Sequence, residues 1–281
     1  MRYRRPGLDL LSHGLLIIGV ILFFLPVWLA LTASTQSPGV LFSGTAPLWF
    51  GDAGLDNYID LLSAPISGVG VPAWQLMLNS LVMALGIATG KIVISMLAAY
   101  AIVFFRFPLR QLCFWMIFIT LMLPVEVRIM PTYGVVADLG LINSYPGLIL
   151  PLIASATATF LFRQFFLTLP PELLEAARID GAGPWRFLID FLLPLSKTNI
   201  AALFVIMFLY GWNQYLWPLL ATTNADHATI VMSLKRLTLA TDGVPPWHQA
   251  TALAILALLP PVVVIVVMQR WFIKGLVETE K

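Results

Sequence analysis

The chain contains six apolar stretches that are each long enough to form a helix across a lipid bilayer. Such a helix needs about 20 mostly apolar residues to cross a hydrocarbon core roughly 30 Å thick. We expect these helices at residues 13–33, 76–105, 111–130, 145–166, 198–220 and 250–272. Only 11% of the residues are charged, whereas a soluble domain carries about 25%. The sequence therefore predicts an all-α integral membrane protein with six transmembrane helices.

The first stretch is predicted to be a retained membrane helix rather than a cleaved signal peptide. Arginines precede it at positions 2, 4 and 5, as they do in many signal peptides. However, residues 14–31 form an uninterrupted apolar run of 18 residues, longer than the usual signal core of about 7–15 residues. No clear Ala-x-Ala cleavage site follows, and five further apolar stretches do.

Basic residues predict the orientation of the chain, because Lys and Arg concentrate in cytoplasmic loops. On the six-helix topology, twelve basic residues lie on one side and two, Lys235 and Arg236, on the other. We therefore expect residues 1–12, 167–197 and 273–281 to be cytoplasmic, with both termini inside. Residues 34–75 form the long external loop.

Residues 167–197, called the interhelical segment below, differ from a plain connection between two spans. Pro171 and Glu172 are typical of a helix start, where a missing N–H is tolerated and a negative charge meets the helix dipole. Gly181 ends this helix, and we expect it to adopt a positive φ. By residue chemistry alone, two interpretations are open. The helix docks into a cleft on another protein, or the segment packs only against its own chain.

The same segment carries a pattern that resembles a known family. Glu175, Ala176 and Ala177 are followed by Gly181 and then by a Leu-Pro pair at 193–194. This spacing is similar to the EAA signature of ABC importer permeases, although Phe191 stands where that family usually has isoleucine. The resemblance implies a coupling helix that inserts into a groove of an ATPase subunit. It assigns this contact to Glu175, Ala176, Ala177, Asp180, Gly181 and Pro194.

The resemblance extends along most of the chain and implies the type I ABC importer permease fold. Residues 74–270 are similar to the permease core, and residues 13–33 to the added first helix of the sugar-type, maltose-permease-like group. The stretches 114–129, 155–166 and 210–219 are most similar to E-type permease subunits of glycerol-3-phosphate importers. The external loops match poorly, so the resemblance assigns no function to them.

The resemblance also implies partners, location and cargo. It predicts a multi-pass protein of the bacterial inner membrane that pairs with a homologous permease, two copies of an ABC ATPase and an external solute-binding protein. ATP is then bound by the ATPase subunits, so we expect no cofactor and no enzymatic activity in this chain. The implied cargo is sn-glycerol 3-phosphate or a glycerophosphodiester, and the alternative is a sugar or oligosaccharide.

The charged residues within the predicted spans include Lys91, Glu126 and Arg128, and burial of a charge there is costly and often functional. Lys91 lies near the middle of its span, and Glu126 and Arg128 lie in a stretch flanked by prolines. The two cations either attract an anionic solute or neutralise Glu126 or a carboxylate of a partner subunit. Asn213 and Gln214 interrupt another apolar span and either bind solute hydroxyls or join helices.

Other classes of function find less support in the sequence. Residues 86–91 resemble a phosphate-binding loop but lack its first glycine and its Ser/Thr. Their small-xxx-small pattern instead favours close helix packing. The histidines, His13, His227 and His248, are too far apart in sequence to indicate a metal site, and we see no nucleophile–base pair. A stand-alone secondary transporter would be expected to have more acidic residues in its spans.

Overall fold

The computed structural model describes residues 6–42, 47–120, 125–239 and 245–277, and every element in these ranges is helical. In chain order the α-helices are α1 (Pro6–Ala33), α2 (Pro38–Phe42), α3 (Asp56–Ser63), α4 (Ala73–Phe104), α5 (Arg110–Ile119), α6 (Ile129–Asp138), α7 (Tyr145–Ile149), α8 (Ala156–Leu167), α9 (Pro171–Ile179), α10 (Pro184–Arg186), α11 (Leu193–Leu195), α12 (Lys197–Trp212), α13 (Leu216–Ala221), α14 (Ile230–Thr238) and α15 (Trp247–Val277). Short 3₁₀ turns precede α6 and follow α7, and a π-helical turn joins α10 to α11.

Three helices are long and apolar enough to cross a membrane, namely α1, α4 and α15. Two bent pairs bring the number to as many as five if each pair is one span, with bends of 50° and 75°. The helix α5 is apolar but shorter, and the prediction for residues 111–130 falls partly outside the described residues. The all-α membrane architecture is thus confirmed, while the described residues give three to five spans rather than a count of six.

The bend within residues 145–166 has a local cause. Pro151 lies in the 3₁₀ turn after α7 and offers no N–H for a continuous helix. The Ser155 side chain then caps a new helix by accepting a hydrogen bond from the backbone N–H of Ala158 at 3.3 Å. One predicted helix is therefore two helices at an angle.

The chain divides into two compact units, and the first comprises the described parts of Met1–Gln75 and Ser233–Leu259. Its polar core lies in the loop after α1. The Asn57 amide donates to the backbone oxygens of Ser34 and Gln36 at 2.8 and 3.0 Å. Thr35 accepts from the backbone N–H of Gly51 at 2.9 Å. These bonds fix the conformation of a loop for which the sequence predicted no regular structure.

The second unit comprises the described parts of Leu76–Met232 and Pro260–Lys281. One buried cluster brings together side chains from α4, α6, α7, the 3₁₀ turn after α7, and α13: Met83, Ile87, Ile129, Val136, Leu148, Leu152, Trp217 and Ala221. The Trp217 indole N–H donates to the backbone oxygen of Gly147 at 3.2 Å. This bond satisfies the one polar atom of the largest side chain in the cluster.

Glycines permit the closest helix contacts in this second unit. A Cβ at Gly90 would lie 2.5 Å from Ile153, and a Cβ at Gly86 would lie 2.6 Å from Ile149. The packing interpretation of residues 86–90 is thus confirmed. A Cβ at Gly211 would lie 2.9 Å from the backbone of Ala84, so α12 approaches α4 where neither side chain intervenes.

Candidate functional site

The interhelical segment forms a short helix with a sharply defined end. The first residue of α9 is Pro171. After α9, Gly181 has a φ of 74°, the positive value expected from the sequence. The N–H of Ala182 donates to the oxygen of Ala177 at 2.9 Å, and that of Gly181 to the oxygen of Arg178 at 3.0 Å. This double pattern is a Schellman motif, which fixes the direction of the chain after α9.

One face of α9 packs against the end of α4. Ala177 is only 1% exposed and lines a cavity of about 90 Å³ together with Tyr100, Phe104 and Phe187. The Tyr100 hydroxyl donates to the backbone oxygen of Pro184 at 2.8 Å. The rings of Phe104 and Phe187 meet edge to face at 5.3 Å. The interhelical segment therefore contacts α4 directly.

The opposite face of α9 is open. Glu175, Ala176 and Asp180 are exposed, as is Pro194 further along the segment. Two apolar residues outside the predicted ATPase contact are also exposed, Ile179 at 86% and Trp185 at 69%. Large apolar side chains at the surface of a helix are candidates for contact with another protein. The two predicted alanines therefore differ, because Ala177 packs against its own chain and Ala176 is exposed.

Lys91 and Arg128, predicted to lie along the solute pathway, belong to the same part of the second unit. Lys91 is 6% exposed, and its Nζ atom lies 3.5 Å from the centroid of the Tyr210 ring. Ile129, the neighbour of Arg128, packs in the cluster that includes Ile87 and contacts Tyr210. Arg128 itself is exposed. The backbone of Glu126 lies in the 3₁₀ turn before α6, but its side chain is outside the part of the chain that the structure describes.

The two amides predicted to lie on the pathway close the end of α12. The Asn213 side chain donates to the backbone oxygen of Leu209 at 2.9 Å, and that of Gln214 donates to the oxygen of Tyr210 at 3.2 Å. Both bonds stay within one helix and its end, so in the described contacts these N–H groups do not join separate helices. No group of three or more His, Cys, Asp or Glu residues in the described ranges is placed to hold a metal ion.

The sequence of this chain is similar to those of known transport proteins. Residues 91–278 match the family described as binding-protein-dependent transport system inner membrane component. The chain is 59% identical over 279 residues to the sn-glycerol-3-phosphate transport system permease protein UgpE of Rhizobium meliloti (strain 1021). It is 55% identical over 280 residues to the protein of the same name from Salmonella typhi. Each alignment covers 99% of both chains.

Solved structures have the same fold at much lower identity. The chain is similar, with a TM-score of 0.82 and 19% identity, to a chain in the crystal structure of a bacterial ABC transporter involved in the import of the acidic polysaccharide alginate. The match covers 97% of this chain and 99% of that one. A second match, with a TM-score of 0.60 and 17% identity, is to a bacterial alginate ABC transporter in complex with an alginate pentasaccharide-bound periplasmic protein. The fold is that of an ABC importer permease.

Proposed function

This chain belongs to the family of binding-protein-dependent transport system inner membrane components, and we propose that it is one of two membrane-spanning subunits of an ATP-driven importer. Its cargo is sn-glycerol 3-phosphate or a glycerophosphodiester. A homologous permease completes the pathway, and an external solute-binding protein delivers the cargo. Two copies of an ABC ATPase bind on the cytoplasmic side. ATP is bound and hydrolysed there, so this chain is not an enzyme and carries no cofactor.

One observation carries the proposed cargo. Relatives named for sn-glycerol-3-phosphate transport are 55–59% identical to this chain along nearly its whole length. The alternative cargo is a sugar or oligosaccharide. A solved polysaccharide importer has the same fold, but at 19% identity that similarity concerns the fold alone and does not favour this cargo. The test is ATP-dependent uptake of labelled sn-glycerol 3-phosphate by proteoliposomes that contain the complete complex.

The interhelical segment supports the coupling part of the proposal. Its open face presents Glu175, Ala176 and Asp180 to the ATPase, with Ile179 and Trp185 as apolar contacts. Ala177, Gly181 and Pro194 contribute by fixing the conformation of the segment. A stand-alone secondary transporter is the less favoured alternative, since it would leave this exposed apolar and acidic surface without a partner.

The proposed pathway includes Arg128, Glu126, Asn213 and Gln214 as well as Lys91. Arg128 is exposed and belongs to the 3₁₀ turn before α6, so a solute can approach its guanidinium. One N–H of each side-chain amide, in Asn213 and Gln214, donates to a backbone oxygen of α12. The second N–H and the side-chain oxygen of each amide are then the groups proposed to bond with solute hydroxyls.

The proposed orientation places both termini and the interhelical segment in the cytoplasm. It rests on the unequal distribution of Lys and Arg. Reporter enzymes fused after Asp56 and after Asp180 are expected to report opposite sides of the membrane, with Asp180 inside. A fusion at the N-terminus is expected to report the same side as the fusion after Asp180. If both internal fusions report the same side, the topology is wrong.

A further inference from the structure

Lys91 is a charged side chain on the buried face of a membrane-spanning helix. It lies in α4 between Ile87 and Ser95, one turn away on either side, and both of these are fully buried. Removing an ammonium group from water costs free energy that a partner of opposite charge normally offsets. A group of opposite charge is therefore expected to contact the Lys91 ammonium.

The described contacts of Lys91 include no negative charge. Its Nζ atom lies over the Tyr210 ring, which attracts a cation through its electron-rich face. Within the described ranges, the one ion pair closer than 4.0 Å is that between Arg186 and Asp190, in the interhelical segment. Arg128 directly precedes Ile129, which packs in one cluster with Ile87, one turn from Lys91 on α4, and Tyr210 packs against the same cluster. Two cations thus share one region with no described carboxylate between them.

We propose that Lys91 and Arg128 bind a phosphoryl anion inside the permease, with Tyr210 as the residue that positions the Lys91 ammonium. Arg128 is exposed and meets the anion first, and Lys91 binds it from the buried side. A phosphate ester accepts charge-assisted hydrogen bonds from both groups. The identity of the anion as cargo rests on the proposed function, whereas the binding of an anion rests on the burial of Lys91 and the position of Arg128 in the same region.

Binding of inorganic phosphate to the purified complex tests this site. The complete complex is placed in phosphatidylcholine nanodiscs without its solute-binding protein, and labelled phosphate bound per assembled complex is measured by equilibrium dialysis. Lys91→Gln is expected to weaken binding by at least about tenfold, because a charged hydrogen bond is lost. Lys91→Arg, which keeps the charge, is the matched control and is expected to retain most of the affinity. Unchanged binding in Lys91→Gln would overturn the proposal.

Tyr210 variants provide a second test, which also decides the matter if Lys91→Gln does not assemble. Tyr210→Leu keeps the charge of Lys91 but removes the aromatic face, and it is expected to weaken phosphate binding by roughly threefold to tenfold. Tyr210→Phe keeps that face and is expected to bind more tightly than Tyr210→Leu. Equal affinities in the two variants contradict a positioning role and, with it, the site.

A carboxylate partner predicts a different pattern. If Glu126 neutralises Lys91, Lys91→Gln strands the carboxylate and impairs assembly, and Glu126→Gln in that background restores assembly. The anion site predicts that the double variant binds phosphate as weakly as Lys91→Gln. If phosphatidylglycerol displaces phosphate and sn-glycerol 3-phosphate does not, the groups bind a lipid headgroup and the cargo site is wrong.

Uptake by the wild-type complex separates this inference from the proposed function. Phosphate binding that depends on Lys91, together with no uptake of sn-glycerol 3-phosphate, contradicts the cargo and leaves the anion site standing. Normal uptake together with phosphate binding that does not depend on Lys91 contradicts the site and leaves the cargo standing.

Discussion

Gly181→Val is expected to abolish coupled transport, with uptake reduced at least about tenfold. Gly181 has a φ of 74°, and a left-handed backbone costs a residue with a Cβ about 1–2 kcal/mol, with β-branched residues the least tolerant. The Schellman motif then opens and α9 points in another direction. The measurement is the ATPase rate of the reconstituted complex with and without the loaded solute-binding protein, and we expect the stimulation to be lost.

Gly181→Asn is the matched control for this variant. Asparagine tolerates a left-handed backbone better than other residues with a Cβ, and no atom lies within 4 Å of a Cβ built at this position. Both variants therefore have room, and they differ in the backbone conformation that each permits. We expect Gly181→Asn to retain most of its coupling. Equal coupling in the two variants would show that the end of α9 has no part in transmission.

Glu175→Lys is expected to release the ATPase from the permease. Glu175 is exposed on the open face of α9, where the proposal pairs it with a basic residue in the ATPase groove. A like charge opposed across an interface costs several kcal/mol. We expect much less ATPase to copurify with the variant and uptake to fall at least about tenfold.

Two further variants separate charge at the interface from damage to the fold. Glu175→Gln removes the charge without reversing it and is expected to weaken copurification less than Glu175→Lys does. Glu172→Lys reverses a charge at the start of the same helix and reports any general effect on α9. If Glu172→Lys and Glu175→Lys lose the ATPase equally, the specific pairing of Glu175 is wrong.

Much of the fold follows from the sequence because hydrocarbon selects long apolar helices. The first predicted span ends at residue 33, and α1 ends at Ala33. The prediction did not locate the break at residues 150–155, although Pro151 was visible. The Ser155 backbone oxygen accepts a hydrogen bond from Ser95 on α4 at 3.1 Å. That contact joins distant parts of the chain, and local patterns do not reveal it.

Part of the candidate site was also predictable from the sequence. The helix and the positive φ at Gly181 follow from local chemistry, but the face that α9 buries depends on Tyr100 and Phe104, far earlier in the chain. Sequence patterns therefore did not separate Ala176 from Ala177 or select Ile179. The contact between Lys91 and Tyr210 joins α4 to α12 and needs the fold itself to be seen.

Uptake of labelled sn-glycerol 3-phosphate tests the central claim most directly. Proteoliposomes contain this chain, its partner permease and the ATPase, and the loaded solute-binding protein is added outside with ATP enclosed inside. We predict that labelled sn-glycerol 3-phosphate accumulates above its external concentration, and that this accumulation requires hydrolysable ATP and this chain. Unlabelled sn-glycerol 3-phosphate is expected to compete with this uptake, whereas maltose is not. Accumulation without ATP, or ATP-driven accumulation of maltose but not of sn-glycerol 3-phosphate, would contradict the account.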